Sequence, residues 1–257
     1  MRGPFGVFGG GEMGKLIAVA SGKGGVGKTT VAGGIAGALA SMGRSVLLVD
    51  GDAAMGNLDL VLGLEGAATS DLVDVLHGIC PLRKAILRIS REDPLWFLPV
   101  ALPGKTDLSV LAALPQVLSL LAGRFDYVIA DCPAGIGEIA GHLLCGAELT
   151  LMVTTPEKMA LRDARRVLST LDRPSGQRRL IVNRIRPQLI RQGTAPDVDA
   201  MIDMMGLQLI GLLEEDPSVT PLQNAGVPII FHTACPAGRQ LWDIARRVDG
   251  QQTPLRI

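Results

Sequence analysis

Continuous apolar runs punctuate the chain at 15–20, 45–50, 95–100, 126–131, 148–154, 178–183 and 208–213. Each is about the length of a strand, and unbroken apolarity marks strands buried on both faces, as in a parallel sheet. Between them, stretches with helical spacing cover 28–42, 70–77, 107–123, 136–145, 158–171, 196–205 and 237–248. The alternation of strand and helix predicts an α/β fold: a mostly parallel, twisted sheet with helices on both faces. No internal repeat and no long linker divides it, so a single domain over 14–249 is expected.

The flanks read differently. Residues 1–13 are Gly-rich, carry Phe5 and Phe8, and show no periodicity. Two readings stand: a disordered arm, or translated sequence upstream of a natural start at Met13. The run Gly9-Gly-Gly-Glu12 is what a purine-rich ribosome-binding sequence would encode. Residues 250–257 form a short tail in which Gly250 and Pro254 oppose a helix.

Composition narrows the class. The 257 residues are 47% hydrophobic but only 3% aromatic, so the core is built from aliphatic side chains. The formal net charge is zero, which supplies no overall pull toward nucleic acid or a membrane. The four cysteines (Cys80, Cys132, Cys145 and Cys235) make no CxxC pair, which argues against a metal cluster. No apolar run approaches a membrane span and no signal-peptide core leads the chain, so a cytosolic protein is expected.

The strongest chemical signal is Gly22-Lys-Gly-Gly-Val-Gly-Lys-Thr29, which fits G-x-x-x-x-G-K-[ST] between a predicted strand and a predicted helix. By average composition that pattern arises by chance in about 1% of chains this long. Glycines at 22, 24, 25 and 27 let backbone N–H groups, with that of Val26, curl around phosphates, and the helix N-terminus adds its positive dipole end. Lys28 is placed to reach the β- and γ-phosphates, Thr29 to hold Mg²⁺, and Thr30 to bond the α-phosphate. Asp50 and Asp52 lie at the end of the strand 45–50, and Asp131 ends the strand 126–131. Ligands collect at that edge of an open parallel sheet, so these carboxylates are candidates for the shell of a phosphate-bound Mg²⁺.

With Lys23 following the first glycine, the loop resembles the deviant Walker-A P-loop ATPases of the MinD/ParA family. The resemblance runs from about Lys15 to Val248. It implies ATP and Mg²⁺ as cofactors, ATP hydrolysis, and an ATP-dependent homodimer in which Lys23 reaches the partner's phosphates. It also implies that Asp52 positions the attacking water, and that Asp50 and Asp131 bond Mg²⁺ through water. Asn183 would read adenine. Asp131-Cys-Pro-Ala-Gly135 resembles the family's switch II, with Cys132 in place of Ser or Thr. Gly56-Asn-Leu-Asp59 resembles its switch I segment, with Gly56 in place of Arg; Asp59 reads as a helix cap or surface acid.

Several segments look like the MinD branch: Ser70–Leu76, Val153–Glu157 with Arg162–Arg166, Ile181–Pro187 and Gly211–Asp216. That branch implies division-site selection, with a MinC-like inhibitor and a MinE-like or other activator as partners. Membrane binding at the inner face of the cell would follow, but the tail lacks the basic amphipathic helix that serves it. The alternative is a ParA-like segregation ATPase or a flagellar-number regulator. Arg178, Arg179, Arg184, Arg186 and Arg191 would then supply a DNA patch; with a neutral chain, no specific nucleic acid is expected. A non-catalytic scaffold is at odds with intact Lys28, Thr29, Asp52 and Asp131.

Overall fold

A computed structural model describes residues 13–53, 56–105, 109–170, 176–232 and 235–255. The readings of the segment before Met13 lie outside them. The strands are β1 (Lys15–Ser21), β2 (Val46–Asp50), β3 (Leu87–Arg88), β4 (Leu95–Pro99), β5 (Tyr127–Asp131), β6 (Leu149–Thr154), β7 (Gln177–Ile185) and β8 (Gln208–Glu214). The helices are α1 (Lys28–Ser41), α2 (Leu58–Val61), α3 (Leu72–Leu76), α4 (Leu82–Ala85), α5 (Leu114–Ala122), α6 (Glu138–Cys145), α7 (Lys158–Ser169), α8 (Pro187–Arg191), α9 (Val198–Met205), α10 (Val219–Asn224) and α11 (Pro236–Val248).

One eight-stranded sheet carries the order β3-β4-β2-β5-β1-β6-β7-β8. All pairs are parallel except β3 with β4. The chain moves out from β1 to β2 and β4, returns to β5, then crosses to β6, β7 and β8. That reversal opens a crevice at the C-terminal end of β1, where ligands bind in such sheets.

The pleat sorts the core into two layers. Leu16, Ala18 and Ala20 of β1 face one layer, with Leu114 and Leu118 of α5, Leu143 of α6 and Leu161 of α7. Ile17 and Val19 face the other, with Ile35 and Leu39 of α1 and Leu241 and Ile244 of α11. Burial on both faces is the physical reason the strands read as unbroken apolar runs. Helix α1 is buried on nearly every side, and its glycines set its distance from α11. A Cβ at Gly34 would sit 2.6 Å from Leu241 Cδ1.

Every predicted strand is present within two residues of its expected ends. Most predicted helices are present too, although 107–123 is a 3-10 turn (Ser109–Ala113) leading into α5, with 107–108 outside the described residues. Position 171, at the end of the predicted 158–171 helix, is also outside them. The short elements α2, α4, α8, α10 and β3 were not anticipated, because one turn leaves no periodicity to read. Helix α3 forms despite its five residues because Asp71 and Asp74 close a capping box, in which Asp71 Oδ1 accepts from Asp74 N at 2.8 Å; such a cap is worth about 1 kcal/mol.

Among the described residues no helix is long and apolar enough to cross a membrane. After α11 the backbone turns at Gly250 (φ 87°), and the Arg247 guanidinium holds the carbonyls of Thr253 at 3.0 Å and Pro254 at 2.6 Å. The tail through Leu255 is thus pinned back on the domain, not helical.

Candidate active site

The loop between β1 and α1 is shaped by contacts that admit only glycine at two points. Gly22 lies against the α7 backbone: a Cβ there would fall 2.1 Å from Ala164 N. Gly27 has φ 88°, and a Cβ there would fall 2.2 Å from Asn183 Nδ2. Asn183 Nδ2 donates to Val26 O at 2.8 Å, tying the loop to β7. Val26 itself is buried beneath the loop. Helix α1 opens at Lys28, so the positive end of its dipole faces the crevice.

Beneath the loop, Lys28 Nζ donates to Asp131 Oδ1 at 2.6 Å, and both side chains are buried. Burial pushes the Asp131 carboxyl above its ordinary range, while Lys28 and the Thr29 hydroxyl pull it back down. Asp50 pairs in register with Asp131 on the neighbouring strand. Burial raises the Asp50 carboxyl to about 7, against the hydrogen bond it accepts from Asp52 N at 3.0 Å; the nearby Asp131 adds to the rise. Asp131 has Lys28 beside it, but the second buried carboxyl, Asp50, has no cation among the groups that chiefly act on it, and a divalent cation with its water shell supplies that chemistry. Thr29 and Asp52 line the cavity in front of them.

Lys23, on the wall of the phosphate cavity, is engaged within its own chain. Its Nζ donates to Glu157 Oε2 at 2.7 Å, just before α7. The loop after β5 is pinned at Cys132 N, which donates to Val19 O at 3.0 Å, and at Gly135 N, which donates to Ser21 O at 3.0 Å. Cys132 is fully buried and its thiol is pushed up to about 12 by that burial. A thiol with no exposed surface is a packing group, not a nucleophile. Asp59 lies in the first turn of α2, where its Oδ1 accepts from Leu60 N at 2.7 Å.

Two cavities meet along the crevice. One of about 710 Å3 is lined by Lys23, Gly24, Gly25, Lys28, Thr29 and Asp52. The other, of about 500 Å3, is lined by Thr30, Asn183 and the Leu213–Pro217 stretch. Gly27, Arg184 and Gln223 line both. The predicted strand end at Asn183 is corrected here, since β7 runs on to Ile185, with a register shift between Val182 and Ile185 that bulges Asn183 and Arg184 out of the ladder. Arg184 takes φ 57°, held there by its N–H, which donates to Asn183 Oδ1 at 2.9 Å.

All the predicted site residues thus gather at one sheet edge, with Asp50 and Asp131 behind the cavity wall. Sequence reasoning missed Glu157 as the partner of Lys23, and it missed Gln223, which donates from Nε2 to Thr30 Oγ1 at 2.6 Å. No local pattern marks either one. The five arginines do not make one patch: Arg178 and Arg179 enter β7 at one sheet edge, while Arg184 and Arg186 leave at the other, about 20 Å away. Arg186 is also paired with Glu215.

Comparison with known proteins agrees with this geometry. The family model ParA, described as the NUBPL iron-transfer P-loop NTPases, matches residues 12–249. The septum site-determining protein MinD of Bacillus subtilis is 38% identical over 248 residues, covering 95% of this chain and 92% of that protein. Among solved structures, the MinC:MinD cell division complex of Aquifex aeolicus superposes with a TM-score of 0.84 at 36% identity, covering 95% of this chain and 98% of that one. MinD of Pyrococcus horikoshii, complexed with Mg-ADP, gives 0.79 at 32% identity, covering 92% and 96%.

Proposed function

The chain belongs to the MinD/ParA family of P-loop ATPases, and from that premise we propose that it is a MinD-type ATPase of cell-division site selection. It cycles between an ATP-bound dimer and an ADP-bound or empty monomer, and recruits a MinC-like inhibitor of septum assembly. A MinE-like or other activator stimulates its turnover. It works in the cytoplasm.

The observation that carries this reading is the buried Lys28–Asp131 pair at the back of a two-part crevice sized for a nucleotide. The triphosphate lies along the Gly22–Thr29 loop, and the base sits by Asn183 and the Leu213–Pro217 stretch. Lys28 leaves Asp131 for the β- and γ-phosphates; Thr29, with Asp50 and Asp131 through water, would hold a Mg²⁺. That cation, when bound, neutralises charge on the phosphates. Asp52 orients the attacking water, and Lys23, supplied by the second protomer, faces the transferring phosphoryl group.

Co-sedimentation of the ATP-loaded protein with liposomes, with DNA, and with a purified MinC-like partner tests the proposal. Capture of the partner, together with ATP-dependent dimers, is the expected result. Salt-sensitive DNA binding without partner capture would instead favour a segregation ATPase.

A further inference from the structure

The contact between Gln223 and Thr30 occupies the seam between the two cavities. A nucleotide with its base in one cavity and its phosphates in the other must pass its ribose and α-phosphate along that seam, beside Gly27, Arg184 and Gln223. Thr30 stands there in the first turn of α1. A hydroxyl carries one proton and two lone pairs. Gln223 Nε2 donates to Thr30 Oγ1 at 2.6 Å and so fills a lone pair, leaving the Thr30 proton to point elsewhere.

Backbone contacts seat Gln223. It lies in α10, whose end is closed by Gly226 N donating to Gln223 O at 2.9 Å and by Val227 N donating to Leu222 O at 2.9 Å. Gly226 packs directly on the backbone after α2: a Cβ there would fall 2.9 Å from Gly63 Cα. The carboxamide is thus presented to Thr30 from an element packed against the backbone after α2.

Resting on the nucleotide-binding reading above, we propose that Gln223 is a positioning residue that orients the Thr30 hydroxyl to donate to the α-phosphate of the bound nucleotide. Gln223 acts through Thr30 as one link of a relay: carboxamide N–H to hydroxyl oxygen, hydroxyl proton to phosphate oxygen. A donor already aimed at its acceptor loses less freedom on binding than a free rotor. A carboxylate at position 223 would reverse the relay, since it accepts only and would take the Thr30 proton for itself.

Calorimetric titration with a non-hydrolysable Mg-ATP analogue tests this on the full chain. Gln223→Leu, which keeps the volume and removes the donor, should weaken binding roughly three- to tenfold, and Gln223→Glu should weaken it more. In a Thr30→Val background, Gln223→Leu should add less than about twofold, because the relay is already broken. If Thr30→Val does not fold, judged by its unfolding midpoint, Thr30→Ala serves the same cycle. In steady state the effect should fall on KM with kcat nearly unchanged. Wild-type affinity in Gln223→Glu, or fully additive losses in the Thr30 background, overturns the relay and leaves nucleotide binding intact. Failure of the wild-type protein to bind the analogue overturns the functional reading itself.

Discussion

Lys23 Nζ lies 2.7 Å from Glu157 Oε2, so the second lysine of the phosphate loop is held by its own chain. In the proposed dimer the same ammonium faces the partner's phosphates, and it must leave Glu157 to do so. The pair is well exposed, at 37% and 65% for the two side chains, so parting it costs at most about 1 kcal/mol. The contact is a bias, not a lock.

Glu157→Gln should therefore favour the ATP-dependent dimer at low salt, by at most about fivefold for each of the two pairs that part. The gain should shrink in high salt, where the wild-type pair is already screened. Lys23→Ala should lose dimerisation while monomeric ATP binding survives. Sedimentation velocity with and without ATP reads both variants, and wild-type dimerisation in Lys23→Ala would remove the cross-dimer role.

Asp52 lines the phosphate cavity, and its N–H is held by Asp50 Oδ1 at 3.0 Å. Asp52→Ala should keep ATP-driven dimers and lose turnover by about 100-fold or more, the range for a positioned general base. Phosphate release and dimer fraction, measured on the same sample, check the split. Undiminished hydrolysis would assign the water to another group.

Gly34→Ala tests the packing that seats α1. An exposed helical Gly→Ala change gains about 1 kcal/mol in propensity. Here the new methyl would meet buried Leu241 at 2.6 Å from Cδ1 and 3.1 Å from Cδ2. Overpacking costs about 1–3 kcal/mol, so a net loss of about 1 kcal/mol is expected in urea unfolding. A stabilised variant would show that α11 yields freely.

Asp249 ties three segments together at the other sheet edge. It accepts from Arg44 Nε at 2.9 Å, Arg44 Nη2 at 3.0 Å and Tyr127 Oη at 2.8 Å. Burial raises its carboxyl, but the hydrogen bonds from Arg44, Tyr127 and Gln251 outweigh that and hold it below the ordinary carboxylate range. Its contribution is therefore present above the unfolded value and is lost as pH falls through the lower folded one. Asp249→Asn should be less stable than wild type by about 1 kcal/mol at pH 7, with the gap closing at acid pH. Thermal melts from pH 7 to pH 3 check it; a pH-independent gap would mean that the loss is one of shape rather than charge.

Much of the site was legible because the chemistry is local. Gly22 to Thr29 must be contiguous to wrap a phosphate chain, and Asp50 and Asp131 each end an apolar run, so fold and site announce themselves together. Asn183 was legible as an amide at the ligand-binding edge of the sheet, though not at the end of its strand. Its bulge, and the left-handed Arg184 beside it, were not, because a register shift in β7 depends on its pairing with β8. The one-turn helices α2 and α10 escaped for want of periodicity, and Gln223 with them.

The chain by itself determined the order and type of the long elements, since burial on both sheet faces writes continuous apolar runs and a P-loop writes its own glycines. Only the tertiary structure decided where the free ends of the functional side chains go. Lys23 meets Glu157 across 134 positions, Asn183 meets Val26 across 157, and Gln223 meets Thr30 across 193. No local propensity encodes such pairings. They are set by the strand order, which folds distant loops onto one edge of the sheet, and by backbone approaches such as Gly22 on α7, close enough that a single methyl group would forbid them.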